Sequence, residues 1–147
     1  MKNLNFTIRD IKEKDTNIQF DTGFKPFGIV KGYDYLERKK QGWKVRVAVL
    51  KVDKTEKIVG ISKFKIENRG VSLGRLGVDK NYQNKGIGTE LVLEILRFVE
   101  KERLEYIKLL AHRDSIEFYS DLGFSIVSPF QKSKRWGYFV EMKLELF

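Results

Sequence analysis

Polar and apolar residues alternate along Phe6-Thr7-Ile8-Arg9, a period of two that predicts a first strand. From Ile11 to about Gln41 the pattern is helical in parts. It is broken around Gly23 to Gly28, where Pro26 sits, and Lys31 to Gln41 suits a short helix ended by Gly42. Val45, Val47 and Val49 alternate with Lys44, Arg46 and Ala48 and predict a second strand. Asp53-Lys54-Thr55-Glu56-Lys57 is a polar turn, which makes Ile58 to Ile66 its hairpin partner. Val71 to Val78 reads as a fourth strand, interrupted by Gly74 and Gly77.

A long helix from about Gly86 to Glu102 is the best-defined element. Ile87, Leu91, Ile95 and Phe98 fall on one apolar stripe, widened by Val92, Leu96 and Val99, while Glu90, Glu94, Arg97 and Lys101 take the wet side. Tyr106 to Ala111 reads as a buried strand. Ser115 to Leu122 suits a short helix stopped by Gly123, and Ser125 to Val127 with Tyr138 to Leu146 supply the last strands. Four strands thus precede the long helix, and strand, helix, strand, strand follow it. That order predicts a mixed α/β sheet in one domain over residues 1–147, rather than a regular βαβ repeat.

Composition narrows the chemistry. Hydrophobic residues are 41% of 147, enough for a core at this length. Charges interrupt every apolar run well short of the ~18 residues a membrane helix needs, so no membrane partner is expected. Met1 to Asp10 carries no long apolar stretch and no small-residue cleavage site, which makes the cytoplasm the expected compartment. The absence of cysteine excludes disulfides, thiolate metal sites and a Cys nucleophile, and no metal site is expected. The formal charge of +9 favours anionic partners: nucleic acid, an acidic substrate or a phosphate-rich cofactor. Charge alone does not choose among them.

The segment Leu76-Gly77-Val78-Asp79-Lys80-Asn81-Tyr82-Gln83-Asn84-Lys85-Gly86-Ile87-Gly88-Thr89 runs from a strand end through a polar loop into the long helix. A helix start offers free N–H groups and the positive end of its dipole. Glycines let a ligand approach that backbone, and Lys85 adds charge, so the turn is a candidate pyrophosphate cradle. A plain structural turn has the same look. A dinucleotide-binding turn would need a third glycine where Leu91 stands, and a P-loop would need Gly-Lys-Ser/Thr, which is missing.

The pattern Gln/Arg-x-x-Gly-x-Gly/Ala is met by Gln83-Asn84-Lys85-Gly86-Ile87-Gly88. Downstream, Phe118-Tyr119 and Leu122-Gly123-Phe124 form a second block with a strand between the two. Together they resemble the GNAT N-acetyltransferase superfamily over nearly the whole chain, with Ile11 to Gln41 matching only in outline. The resemblance implies a GNAT-like α/β fold, a mostly antiparallel mixed sheet flanked by helices, and transfer of an acetyl group from acetyl-CoA to an amine. It implies that Leu76, Gly77 and Val78 offer backbone groups to the pantetheine arm and to the thioester carbonyl. It implies that Gln83, Asn84, Lys85, Gly86, Ile87, Gly88 and Thr89 hold the pyrophosphate. Tyr119 matches the tyrosine that protonates the departing thiolate.

Other residues are less constrained. His112, the only histidine, stands near where many relatives carry an asparagine, and is either a ligand contact or an ordinary strand-end residue. Asp34, Glu37, Glu67 and Glu141 are unranked candidates for a general base, and a water relay would need none of them. Phe20, Phe24, Phe27, Tyr33, Tyr35 and Trp43 precede or flank the second strand, most of them suited to the core and one or two to an acceptor pocket. The acceptor is expected to be a small-molecule or peptide amine, and a homodimer is compatible with the resemblance. Two rival readings are a non-catalytic acyl-CoA-binding module and a nucleic-acid binder using Lys132, Lys134, Arg135 and Trp136. Nucleic acid is the less favoured partner, because such clusters are commonly solvated loops.

Overall fold

The computed structural model describes residues 5–24 and 28–146. Pro26 and Phe27 lie outside the described residues. In chain order the elements are β1 (Phe6–Asp10), a 3-10 turn (Glu13–Asn17), β2 (Gln19–Asp21), β3 (Ile29–Lys31), α1 (Gly32–Lys40), β4 (Lys44–Val52), β5 (Thr55–Glu67) and β6 (Gly70–Val78). A 3-10 turn (Lys80–Tyr82) leads to α2 (Ile87–Lys101) and β7 (Tyr106–His112). A further 3-10 turn (Arg113–Ser115) precedes α3 (Ile116–Asp121), β8 (Ser125–Ile126), β9 (Gln131–Ser133) and β10 (Gly137–Glu145). The fold is mixed α/β with a mostly antiparallel sheet. Cα packing divides the chain into two units, Met1–Phe64 with Arg75–Glu94, and Lys65–Gly74 with Ile95–Phe147.

In the first unit β1, β4 and β5 pair antiparallel, with Ile8 opposite Ala48 and Val47 opposite Ile61. Residues Val47 to Leu50 are all buried, so β4 is covered on both faces and cannot show simple alternation of apolar and polar residues. One face packs Val45, Val47, Val49 and Ile61 with Ile11, Phe20, Val30 and Tyr35. The other packs Ala48, Leu50 and Val59 with Ile87 and Leu91 at the start of α2. The β4–β5 register slips between Ala48 and Val49, a bulge that leaves one residue extra. Gly60 lies at this place, and a Cβ there would come within 3.0 Å of Ile87 Cγ2 and 3.2 Å of Leu91 Cδ1. Its missing side chain is what allows α2 to sit so close.

In the second unit β6 pairs parallel with β7 over Gly70 to Leu73, opposite Tyr106 to Leu109. The strand then runs on to Val78, beyond the end of that register. β7 and β10 pair antiparallel through seven positions, from Phe139 opposite His112 to Glu145 opposite Tyr106, and β8 and β9 also pair with β10. Ile107, Leu109, Ala111, Val140 and Met142 are buried, as are Ile95 and Val99 from the later turns of α2.

Several sequence-based expectations need correction. The stretch predicted as partly helical before α1 holds two three-residue strands, β2 and β3, paired with Phe20 opposite Val30. Six strands, not four, therefore precede α2. β6 is continuous through Gly74 and Gly77, and β9 went unpredicted. The Asp53–Lys57 turn tightens to Asp53 and Lys54, with Asp53 at φ 58. On α2 the buried stripe ends at Val99, while Phe98 is half-buried. Among the described residues, no helix is long and apolar enough to cross a membrane, and no group of three or more His, Asp or Glu could hold a metal ion.

Candidate active site

The glycine loop is built from the strand end upward. Leu76 and Val78 pack their side chains against the Ala48–Leu91 cluster. Gly77 faces the opposite way, where a Cβ would approach Thr22 Cγ2 to 3.1 Å. Packing consumes these side chains, so what this strand end can offer a ligand is its backbone. Asp79 is buried, its N–H donates to Val59 O at 2.8 Å, and its Oδ1 accepts the Asn81 N–H at 3.0 Å. An Asp in this position starts the turn as an N-cap does. Lys57 Nζ lies 5.0 Å from the centroid of the Tyr82 ring.

The loop then makes two left-handed residues, Asn84 at φ 62 and Gly86 at φ 88. Asn tolerates this region and Gly adopts it freely. A Cβ on Gly86 would meet nothing within 4 Å, so the backbone there faces open space. Glu90 N–H donates to Gly86 O at 3.0 Å and closes the first α-helical turn. The N–H groups of Ile87, Gly88 and Thr89 consequently precede any i−4 carbonyl of the helix. Three amides beside an exposed Lys85 and the positive end of a 15-residue helix form a setting for an anion. Ile87 itself is buried on Ala48 and Val59, which fixes the helix start against the strands.

Gln83 is arranged differently from the rest of the loop. Its side-chain amide donates to Val78 O at 2.9 Å and to Thr22 O at 2.6 Å. Its side chain therefore holds protein backbone. Sequence reasoning missed this partner, because Thr22 is 61 residues away and the intervening fold brings the two together.

Tyr119 lies in the second unit, on the six-residue α3. Its ring is buried and meets Phe118 and Phe124 edge-on, with centroids 5.1 Å and 5.6 Å away. The sequence block has a local cause. Gly123, at φ 99, donates to Ser120 O, and Phe124 N–H donates back to Tyr119 O at 3.1 Å. This is a Schellman ending, and its characteristic apolar contact is the one between Phe124 and Tyr119. Burial pushes the Tyr119 phenol well above its ordinary value. The hydroxyl keeps its proton throughout the neutral range.

The remaining candidates fall into plainer roles. His112 Nδ1 accepts the Asp114 N–H at 3.2 Å and caps the short turn before α3, which leaves the neutral ring its proton on Nε2. Asp34 and Glu37 are exposed on α1. Glu67 lies 3.6 Å from Lys108 Nζ, and Glu141 is half-buried on β10. Phe20 and Tyr35 are core residues, Trp43 is half-buried beneath Lys63 at 4.5 Å, and Phe24 and Tyr33 are exposed. Ser133 Oγ accepts the N–H groups of Arg135 and Trp136, which shapes the basic turn between β9 and β10. A polar cavity of about 570 Å³ lined by Arg9, Asp15, Glu56, Lys57 and Asp79 also lies in the first unit. Its walls carry their own ion pairs: Arg9 with Asp15 at 2.8 Å, and Lys14 with Glu56 at 2.6 Å.

Comparison with known proteins decides the family. A model of the acetyltransferase (GNAT) family matches residues 14–124, well over half of the chain. The chain belongs to the GNAT acetyltransferase family. Solved structures share the GNAT fold at low identity. Ard1 from Thermoplasma volcanium is 16% identical, with 97% of this chain and 98% of that chain covered and a TM-score of 0.77. The ribosomal-protein-S18-alanine N-acetyltransferase from Escherichia coli is 14% identical over 97% and 94%, at 0.71. A GNAT acetyltransferase from Elizabethkingia anophelis with acetyl-CoA bound is 14% identical over 97% and 99%, at 0.68. No curated protein sequence matches the chain significantly. Both the Gln83–Gly88 loop and the Phe118–Phe124 block fall within the GNAT-matched span, whereas the basic β9–β10 turn falls outside it.

Proposed function

We propose that this GNAT chain acts as one domain over residues 1–147 and transfers the acetyl group of acetyl-CoA to a primary amine on a small molecule or peptide. The observation that carries this reading is the glycine loop. Asn84 and Gly86 turn the backbone left-handed, and the amides of Ile87, Gly88 and Thr89 follow at a helix start open to solvent. A side chain at position 86 would stand in that open space, and a pyrophosphate suits the amides that line it. Acetyl-CoA is bound in the related Elizabethkingia anophelis acetyltransferase, which supports the choice of ligand.

Acetyl-CoA supplies an acyl group already activated as a thioester. The chain's part is to bind and orient it, to stabilise charge and to handle protons. Asn84 to Thr89, through backbone amides and the Lys85 ammonium, neutralise the phosphates, while the Gln83 side chain holds the base of the loop on Val78 O and Thr22 O. The backbone of Leu76, Gly77 and Val78 takes the arm, and an N–H there stabilises negative charge developing on the acyl oxygen. The Tyr119 hydroxyl carries the proton for the departing sulfur. Its raised affinity for that proton makes donation uphill, so the hydroxyl first donates a hydrogen bond to sulfur, gives the proton as the C–S bond breaks, and is reprotonated by the proton the amine sheds on forming its C–N bond. Exposed Phe24 and Tyr33 offer aromatic surface to the amine acceptor.

An acceptor screen with acetyl-CoA, reading free thiol release, tests the proposal. Thiol release that needs both protein and a primary amine supports it. Tight acetyl-CoA binding with no release against polyamines, amino acids, aminoglycosides, peptide N-termini or lysine peptides would favour a binding module.

A further inference from the structure

We infer that Gln83 is a positioning residue that ties the end of β2, at Thr22, to the phosphate-binding loop, so that co-substrate on the loop also orders the strands of the β2–β3 hairpin beside it. The inference rests on the proposed binding of acetyl-CoA at the same loop. A primary amide carries two N–H donors. In Gln83 these reach two separate segments, Val78 O at the end of β6 and Thr22 O just after β2. One side chain thus joins the strand end, the loop and the hairpin.

The surroundings make this tether specific. Thr22 is 4% exposed and sits over Gly77, where any Cβ would press on its methyl group at 3.1 Å. Its N–H donates to Gly28 O at 2.7 Å, so a pull on Thr22 O acts on the residue that leads into β3 as well. A second link, Lys80 Nζ to Asp21 Oδ2 at 3.4 Å, is exposed and contributes little. The hairpin has three residues in each strand and is seated in the core by Phe20 and Val30 alone, so the residues after β2 depend on further links such as that from Gln83. Gln83 is immediately followed by Asn84 and lies three residues before Gly86, the two left-handed positions of the loop. A ligand that fixes their backbone fixes the origin of the Gln83 side chain as well. Thr22, at the end of β2, is then held in one place over Gly77 of β6.

The test is amide hydrogen exchange with coenzyme A as the probe, on the wild-type chain, Gln83→Met and Lys80→Met. Met keeps the length and apolar stem of Gln but donates nothing. In the wild type, coenzyme A should slow exchange both at residues 83–89 and at residues 19–24. In Gln83→Met the loop should still be protected while the hairpin gains no protection and opens about five- to tenfold faster, the worth of one buried hydrogen bond. Lys80→Met should behave as wild type. With an acceptor in hand, Gln83→Met should raise the acceptor KM more than it lowers kcat. Hairpin protection unchanged in Gln83→Met would overturn the inference, and so would a wild-type hairpin indifferent to coenzyme A while the loop is protected. A wild-type loop that coenzyme A leaves untouched would instead overturn the reading beneath it. If Gln83→Met does not fold, the wild-type titration still decides, because loop and hairpin protection must rise together with saturation.

Discussion

Tyr119 is a packing residue for which we also propose a chemical role. Its ring closes the end of α3 against Phe124, while its hydroxyl, held protonated by burial, is the proton source in the proposed reaction. The two parts separate cleanly in Tyr119→Phe, which keeps the ring and deletes the oxygen. This variant should have a melting temperature close to wild type, acetyl-CoA affinity nearly unchanged, and kcat lower by about 10²–10⁴-fold, the usual worth of a positioned acid. Steady-state turnover alongside calorimetry checks this, and wild-type kcat would remove Tyr119 from the reaction. His112, by contrast, spends Nδ1 on the Asp114 amide, so its substitution should mainly loosen the turn before α3.

At the scale of elements, the contact that positions the loop is α2 against β4 and β5. Leu91 is 1% exposed within that contact, and Leu91→Ala should cost about 2–5 kcal/mol in a denaturant titration. Gly60→Ala tests the same interface from the other side. The added methyl would meet Ile87 and Leu91 at 3.0 and 3.2 Å, and overpacking should cost about 1–3 kcal/mol. A midpoint that does not move in either variant would contradict this packing. These elements also show what was legible in the sequence. The α2 stripe was readable because 15 residues give the helical period room to repeat, and Gly123 was readable as a stop because only a left-handed residue completes the Schellman ending. The β2–β3 hairpin was not, since Gln19-Phe20-Asp21 and Ile29-Val30-Lys31 are too short to display a period of two. The loop pattern predicted a cradle for an anion but not the hydrogen bonds of the Gln83 side chain, because one of them goes to a carbonyl far away in sequence.

For the molecule as a whole, charge sets how conditions act. The net charge of +9 draws an anionic co-substrate, so coenzyme A affinity should weaken as salt rises. Acid acts through Asp15. Burial alone would raise its carboxyl, but the Arg9 guanidinium, the Lys12 amide at 2.7 Å and the charges of Arg9 and Lys14 together hold it below its ordinary value. A carboxylate bound more tightly in the folded state stabilises it above the unfolded value, and this contribution is lost as pH falls through the folded one. The stability difference between wild type and Asp15→Asn should thus be greatest near neutrality and shrink below pH ~4. Urea midpoints across that range measure it, and a constant difference would contradict the assignment. The central claim, that the glycine loop of this acetyltransferase binds acetyl-CoA, is tested most directly by calorimetry of acetyl-CoA on wild type and Gly86→Glu. Position 86 lies at φ 88 over open space, so a glutamate there strains the turn and puts a carboxylate where phosphate would sit, with no core contact disturbed. The wild type should bind measurably and a folded Gly86→Glu variant should not; equal affinity in the two would contradict binding at this loop.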